Sequence, residues 1–297
     1  MTRISRSGSP VEHGFPRLDT VRAAITALFR RLSYEGIRAY DTSFAPADAA
    51  FTADDDLHLG AHRVASAIVR ALRLPDARMV VCFRAMEEAA TVELASGPEY
   101  FIEVNDRFRT HRRDLAAALA HEVTHVLLHR LDLRFPTTAD NEVLTDTAAA
   151  YLGVGWLLLD AYREDELTHQ KLGYLTPEEF GYVLARRALL PGGGEDPSTW
   201  FTSPQAYEAY VRGRELAGRE LRRAPLAAAD RAQRRRYARD RRAGSAAPGA
   251  SYVFEEHPAG TRVSFPCPVC GQRLRLPVRG PVRARCGLCR TVLDCDT

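Results

Sequence analysis

Four cysteines near the end of the chain, Cys267, Cys270, Cys286 and Cys289, stand as two CxxC pairs with fifteen residues between them. Each CxxC turn presents two thiolates on one side. Two such turns suit a single tetrahedral ion, and the spacing reads as a zinc ribbon or a pair of zinc knuckles. A tail this short has too little interior to fold on apolar burial alone, so metal binding would supply its folding free energy. Gly271 and Gly287 sit where such turns favour a residue without Cβ. Four ligands leave no open position, so this ion is expected to be structural. Cys295 is spaced too loosely to join the set, and Cys82 falls in a strand-like run where a small buried side chain is expected.

The rest of the chain is long enough for a separate domain: 297 residues in all, 45% hydrophobic and 27% charged, the balance of an ordinary globular protein. Net charge is only +3, which excludes a polycation built to coat nucleic acid. No apolar run reaches the ~18 residues needed to span a bilayer, and the first residues lack the apolar core of a secretory signal. A cytoplasmic protein with no membrane partner is therefore expected. Lysine occurs once, at Lys171; an arginine skew this large reads as codon usage and lowers the weight of any one arginine cluster.

Periodicity divides the chain. Residues 1–17 read as a flexible N-terminus, and Val21, Ile25, Leu28, Phe29 and Leu32 mark a helix from about Thr20. A second helix is expected near 62–72, then strand-like stretches at 78–83, 90–94 and 100–104. Leu115, Leu119, Val123, Val126 and Leu127 mark a helix between about Thr110 and Leu131, followed by a long helix expected to reach Tyr162. Thr176-Pro177-Glu178-Glu179 has the form of a capping box opening another. These elements predict an α+β fold over 18–190, a helical extension over 191–222, a basic linker over 223–251 and the cysteine-rich tail over 252–297. Pro191-Gly192-Gly193-Gly194 lacks the Lys-Ser/Thr of a nucleotide-binding loop.

Within the expected helix after Thr110 lies His121-Glu122-Val123-Thr124-His125. Two histidines four apart project from one helix face, a separation that suits two ligands of one zinc, and Glu122 beside them can reach a bound water. A third ligand is required. His129 lies ~12 Å along the axis from His121, too far in an unbroken helix. Asp132 would need a sharp turn without glycine. Glu142 fits better: it opens the next helix, and an antiparallel pair would return it toward His121 and His125. Asp146, one turn on, could then accept a hydrogen bond from a ligand histidine's second nitrogen.

HEVTH followed by NEVLTD resembles the gluzincin arrangement HExxH…ExxxD. The preceding TVELASGPEYFIEVNDRF is similar to the short sheet of minigluzincins and of ImmA/IrrE-type metallopeptidases, and the resemblance covers about residues 78–160. It implies a zincin-like metallopeptidase domain, zinc on His121, His125 and Glu142, Glu122 as general base, and Tyr100–Val104 as an edge strand onto which substrate pairs. The chain departs from the ImmA/IrrE pattern in lacking an obvious helix-turn-helix and in carrying Thr124 where many such enzymes have Gly, so the substrate does not transfer. An oxyanion donor is also needed; His169, Tyr174 and Tyr151 are the candidates, and the sequence does not choose among them.

The expectation is a zinc-dependent endopeptidase with one catalytic and one structural zinc, acting on a specific intracellular protein. The rival is a zinc-ribbon adaptor with an idle HExxH domain. From Arg212 to Arg242 there are twelve arginines against four acids, and the tail adds Arg262, Arg273, Arg275, Arg279, Arg283, Arg285 and Arg290. Nucleic acid and a docked protein remain open as partners of that basic surface.

Overall fold

In the computed structural model, residues 11–40, 44–52, 54–164, 169–190 and 195–297 are described, with His169 by its backbone only. The Pro191–Gly194 turn lies outside them. Helix α1 (Leu18–Ala39) buries the predicted face, Val21, Ile25, Leu28 and Phe29, and kinks where that face ends, at Ser33 with φ 64°. Asp56 caps α2 (Leu57–Ala71) by accepting from the amides of His58 and Leu59. Strands β1 (Arg78–Arg84), β2 (Ala90–Val92) and β3 (Glu99–Asn105) follow. Two single turns, Asp106–Arg109 and Arg112–Asp114, lead into α3 (Leu115–Arg130).

The sheet order is β1-β3-β2, with β1 parallel and β2 antiparallel to β3. The stretch Tyr100–Val104 is therefore the central strand, not an edge, because both of its sides are already paired. The free edge next to α3 belongs to the three residues of β2. Strand periodicity also corrects Cys82: Met79, Val81 and Phe83 face inward, which turns Cys82 out to solvent.

Helix α3 is enclosed on nearly every side, with Leu115 to Thr124 all buried between α2, the sheet, α4 (Thr138–Tyr151) and α5 (Trp156–Asp160). The long helix expected to reach Tyr162 breaks at Gly153, whose φ of 109° only glycine adopts freely. A short ladder, β4 (Arg163–Glu164) with β5 (His169–Gln170), precedes α6 (Pro177–Ala188). The capping box is present in full: Thr176 accepts from the Glu179 amide, and Glu179 from the Thr176 amide. Residues 11–17, expected to be mobile, pack against this helix start instead. The amides of Gly14 and Arg17 donate to Glu178 and Glu179.

Helix α7 (Pro204–Glu220) lies against α6 at glycines. A Cβ on Gly213 would stand 2.1 Å from the Tyr182 nitrogen, so the backbones touch where no side chain fits. The stretch 223–251, expected as a basic linker that is part helical, holds α8 (Arg231–Ala243), whose Tyr237 is buried against Tyr252 and Phe254. Strands β6 (Val253–Glu255), β7 (Arg262–Pro266) and β8 (Arg273–Pro277) form one small sheet, and β9 (Pro281–Arg285) with β10 (Val292–Asp296) a hairpin. The architecture is α+β with small sheets and a buried four-cysteine cluster near the C-terminus. No helix among the described residues is long and apolar enough to cross a membrane.

Candidate metal centre

Two groups of side chains can each hold a metal ion: His121, His125 and Glu142, and Cys267, Cys270, Cys286 and Cys289. The first arises from the antiparallel pairing of α3 and α4. His121 and His125 stand one turn apart on α3, with their Nε2 atoms 3.0 Å from each other. Glu142, in the first turns of α4, places Oε2 3.1 Å from His121 Nε2 and 3.4 Å from His125 Nε2. Ligands at about 2.0–2.1 Å from a tetrahedral ion lie about 3.3–3.4 Å apart, so the three atoms nearly span one tetrahedral face.

The outer nitrogens fix the rings. His121 Nδ1 lies 2.8 Å from Asp146 Oδ1, one turn beyond Glu142 on the same face of α4. His125 Nδ1 lies 3.2 Å from Thr145 Oγ1, which itself donates to the Asn141 carbonyl at 2.9 Å. That hydroxyl must then accept from the ring. Hydrogen bonding thus places a proton on Nδ1 in both histidines and turns both Nε2 atoms toward Glu142. Thr145 is not singled out by the sequence motif, although its spacing from Glu142 puts it on the ligand face.

Asp146 is fully buried and is fixed from a second direction. Its Oδ2 accepts from the amides of Tyr174 and Leu175, the latter at 3.0 Å. Gly173, with φ 81°, makes that approach possible; a Cβ there would stand 2.7 Å from the carboxylate. Lys171 braces the loop by donating to the carbonyls of Gly173 (2.6 Å) and Leu175 (2.8 Å). Burial pulls its pKa down to about 8, against the opposing pull of Asp146. The chain's one lysine therefore holds the loop that holds the carboxylate that orients His121.

The centre is rich in negative charge. Burial alone would favour a neutral His121, yet its bonds to Asp146 and Glu142, with Glu122 nearby, raise its pKa to about 10. Burial likewise opposes ionisation of Glu142, but the two histidines hold its carboxyl well below the usual range. Three carboxylates around two imidazoles are the donor set a divalent cation satisfies. The side chain of His121 is wholly buried while 17% of His125 is exposed, so the centre opens on the His125 side. Glu122 is fully buried beside the ligands.

Other candidates fall elsewhere. His129 and Asp132 are exposed. Tyr151 ends α4 nine residues past Glu142, about 13 Å along the axis, and is buried toward Cys270 and Cys289, so it does not serve the histidine site. The Tyr174 ring stacks beside His121, with centroids 6.2 Å apart. The His169 side chain lies outside the described residues.

The four cysteines sit on two turns with matching backbone bonds. Cys267 and Cys286 donate to the carbonyls of Gln272 and Thr291, and Gly271 and Arg290 donate back to Cys267 and Cys286. The left-handed residue of each turn is the one after its second cysteine, Gly271 (φ 76°) and Arg290 (φ 59°). Gly287, expected to need freedom from Cβ, has no positive φ and open space around it. The thiol pairs Cys267–Cys289 and Cys270–Cys286 are each 3.6 Å apart, and all four are buried. Cys295 is buried on β10, outside the cluster. The first turn is bolted to the helices: Thr26 donates to the Cys270 carbonyl at 2.7 Å, and Arg186 to that of Val269 at 3.2 Å.

Compared with known proteins, no family model, no curated protein and no solved structure matches this chain.

Proposed function

We propose that the protein is a zinc-dependent endopeptidase of the gluzincin type, cleaving a specific intracellular protein, with a structural zinc ribbon at its C-terminus. One observation carries this reading: two Nε2 atoms and the Glu142 carboxylate converge at tetrahedral spacing, with Glu122 buried next to them and one side open. That set of two imidazoles and one carboxylate suits a catalytic zinc with a position left for water. At the second site the thiol pairs Cys267–Cys289 and Cys270–Cys286, each 3.6 Å apart, approach the tetrahedral edge of about 3.8 Å expected for zinc–sulfur bonds of about 2.3 Å.

Zinc held by His121, His125 and Glu142 would supply Lewis-acid polarisation and lower the pKa of water toward about 7. The chain does the rest. Glu122 takes the proton from the attacking water and delivers it to the departing amine, and its buried position keeps that proton from bulk solvent. Asp146 and Thr145 hold the two rings so that neither ligand need reorganise. Tyr174, beside His121, is the donor we assign to the developing oxyanion. The free edge of β2 is the strand available for a substrate backbone to pair with.

The test is metal content with turnover. Two zincs per chain are expected, and Glu122→Gln should keep both while losing about 10²–10⁴-fold in peptide hydrolysis. A single zinc that survives His121→Ala would overturn the reading and leave a ribbon-bearing adaptor.

A further inference from the structure

A cleft of about 1210 Å³ opens at the N-terminal end of α3, the helix that carries His121 and His125. Five of its lining residues are arginines, Arg107, Arg109, Arg112, Arg113 and Arg163, against two aspartates, Asp114 and Asp160. Both aspartates are already engaged. Asp114 binds Arg163 through both oxygens, at 2.9 and 3.0 Å, and also accepts from Gln170. Asp160 accepts from the amides of Thr202 and Ser203 and from the Thr202 hydroxyl.

Arg109 pairs with Asp106 at 2.7 Å and Arg112 donates to the carbonyls of Thr52 and Asp55, so the excess charge rests on Arg107 and Arg113. Arg107 has its Nε and Nη2 buried with no hydrogen-bond partner among the described residues. Such donors cost about 1–3 kcal/mol each when left unsatisfied. Arg113 meets only the Thr202 hydroxyl and no carboxylate among the described residues. An anionic ligand supplies the carboxylate partner that Arg113 lacks, and Arg107, which faces Asp114, adds to the positive field of the cleft.

We infer that this cleft binds carboxylate side chains of an acidic peptide segment and selects acidic substrates for the neighbouring centre. The inference rests on the peptidase reading for its link to cleavage, not for binding. Asp114 precedes His125, the ligand on the open side, by three turns of α3, about 16 Å along the axis, which an extended peptide covers in about five residues. Gln170, on the cleft wall, leads directly into the loop that orients Asp146. A nucleotide fits less well. The cleft's large rings are occupied by packing: Trp156 is buried with its ring edge-on to Trp200 at 5.4 Å, and Phe108 is buried under Arg107. The ring of Phe51 already carries the Arg112 guanidinium at 5.0 Å.

Trp156 and Trp200 are the only tryptophans in the chain and both line the cleft, so intrinsic fluorescence reports its occupancy. The zinc-loaded Glu122→Gln chain is titrated with a short blocked peptide rich in Asp and Glu, and with its Asn/Gln counterpart. The acidic peptide is expected to shift the fluorescence, more weakly at high salt, while the amide peptide does not. Arg107→Gln and the exposed Arg113→Glu should each weaken binding about tenfold or more. Equal response to both peptides, or acidic-peptide affinity unchanged in Arg113→Glu, overturns the assignment. So does a response to ATP or inorganic phosphate in place of the peptide. If the wild-type chain binds the acidic peptide without cutting it, the cleft assignment stands and the peptidase reading falls.

Discussion

His121 and Asp146 are joined at 2.8 Å across two helices, and the far oxygen of that carboxylate is tied to a loop twenty-eight residues further on. The ring of a ligand histidine is thereby fixed by backbone amides rather than by a second mobile side chain. This matters because an imidazole rotates freely about χ2 unless its outer nitrogen is engaged, and a ligand free to rotate binds metal more weakly. The same logic runs one turn later, where the Thr145 hydroxyl fixes His125.

Asp146→Ala removes that anchor and leaves the amides of Tyr174 and Leu175 buried without their acceptor. Metal affinity at the histidine site should fall about 10–100-fold. The four-cysteine site shares none of these bonds. Titration with a chromophoric chelator should therefore release one equivalent early and the second as in the wild type. Release of both together, or of neither, contradicts the separation of the two sites.

Gly173→Ala and Gly280→Ala make a matched pair. Both glycines have positive φ, 81° and 92°, so both substitutions carry a similar backbone strain of about 1 kcal/mol. Only at Gly173 does the new Cβ meet a functional group, the Asp146 carboxylate at 2.7 Å; at Gly280 nothing lies within 4 Å. Gly173→Ala should lower zinc retention and hydrolysis together, whereas Gly280→Ala should lower only the melting temperature, by a few degrees. Equal retention in the two variants would remove the loop from the account of the site.

Some of this geometry could be reasoned from the sequence because helical spacing is local. His121 with His125, and Glu142 with Asp146, share faces whatever surrounds them, and a short connection makes an antiparallel pair. Strand order is different. Nothing in Tyr100–Val104 tells that Arg78–Arg84 will pair with it in parallel and make it central. The knuckle glycine misled for a related reason: the left-handed position follows the second cysteine, and in the second turn an arginine occupies it. Lys171 was conspicuous as a lone lysine, yet its role depends on carbonyls that only the folded loop presents. The cleft at Arg107 gathers side chains from segments scattered between Pro46 and Thr202, so no window of sequence contains it.

Glu220 links acid sensitivity to the tail. It accepts from Tyr182 at 2.8 Å and from Arg186 at 2.5 Å, and it also pairs with Arg22. Burial would raise its pKa, but Arg186 and Arg22 hold it below the usual glutamate value of 4.5. A carboxylate depressed in the folded state contributes its full stabilisation above the unfolded value and loses it as pH falls through the folded one. Wild-type stability should therefore drop as pH falls below about 4.5. Glu220→Gln should be weaker at neutral pH by about 3–5 kcal/mol, since it strands a buried guanidinium, and flatter across the acid range. Denaturant midpoints of the two chains over that range decide it; parallel pH profiles would remove Glu220 as a contributor.

The four-cysteine tail is tied to the helices rather than appended to them. Its first cysteine turn receives hydrogen bonds from Thr26 on α1 and Arg186 on α6. Arg30 reaches Gln272, and a Cβ on Gly271 would already meet Thr26 at 2.8 Å. Releasing the turn uncovers Arg186, which is buried and held between Tyr182, Glu220 and the Val269 carbonyl. Cys270→Ser removes one of the four thiolates, and with it most of the tail's folding free energy. Because α6 also packs on α4, the loss should reach the helix that carries Glu142. Trp156 and Trp200 both lie outside the tail, so a thermal melt followed by their fluorescence reports the rest of the molecule. That melt should move down by several degrees in Cys270→Ser, or when the tail's zinc is chelated. A tryptophan melt that stays at its wild-type midpoint while the tail's zinc is gone would mean that the ribbon is carried by the helices and contributes nothing to them.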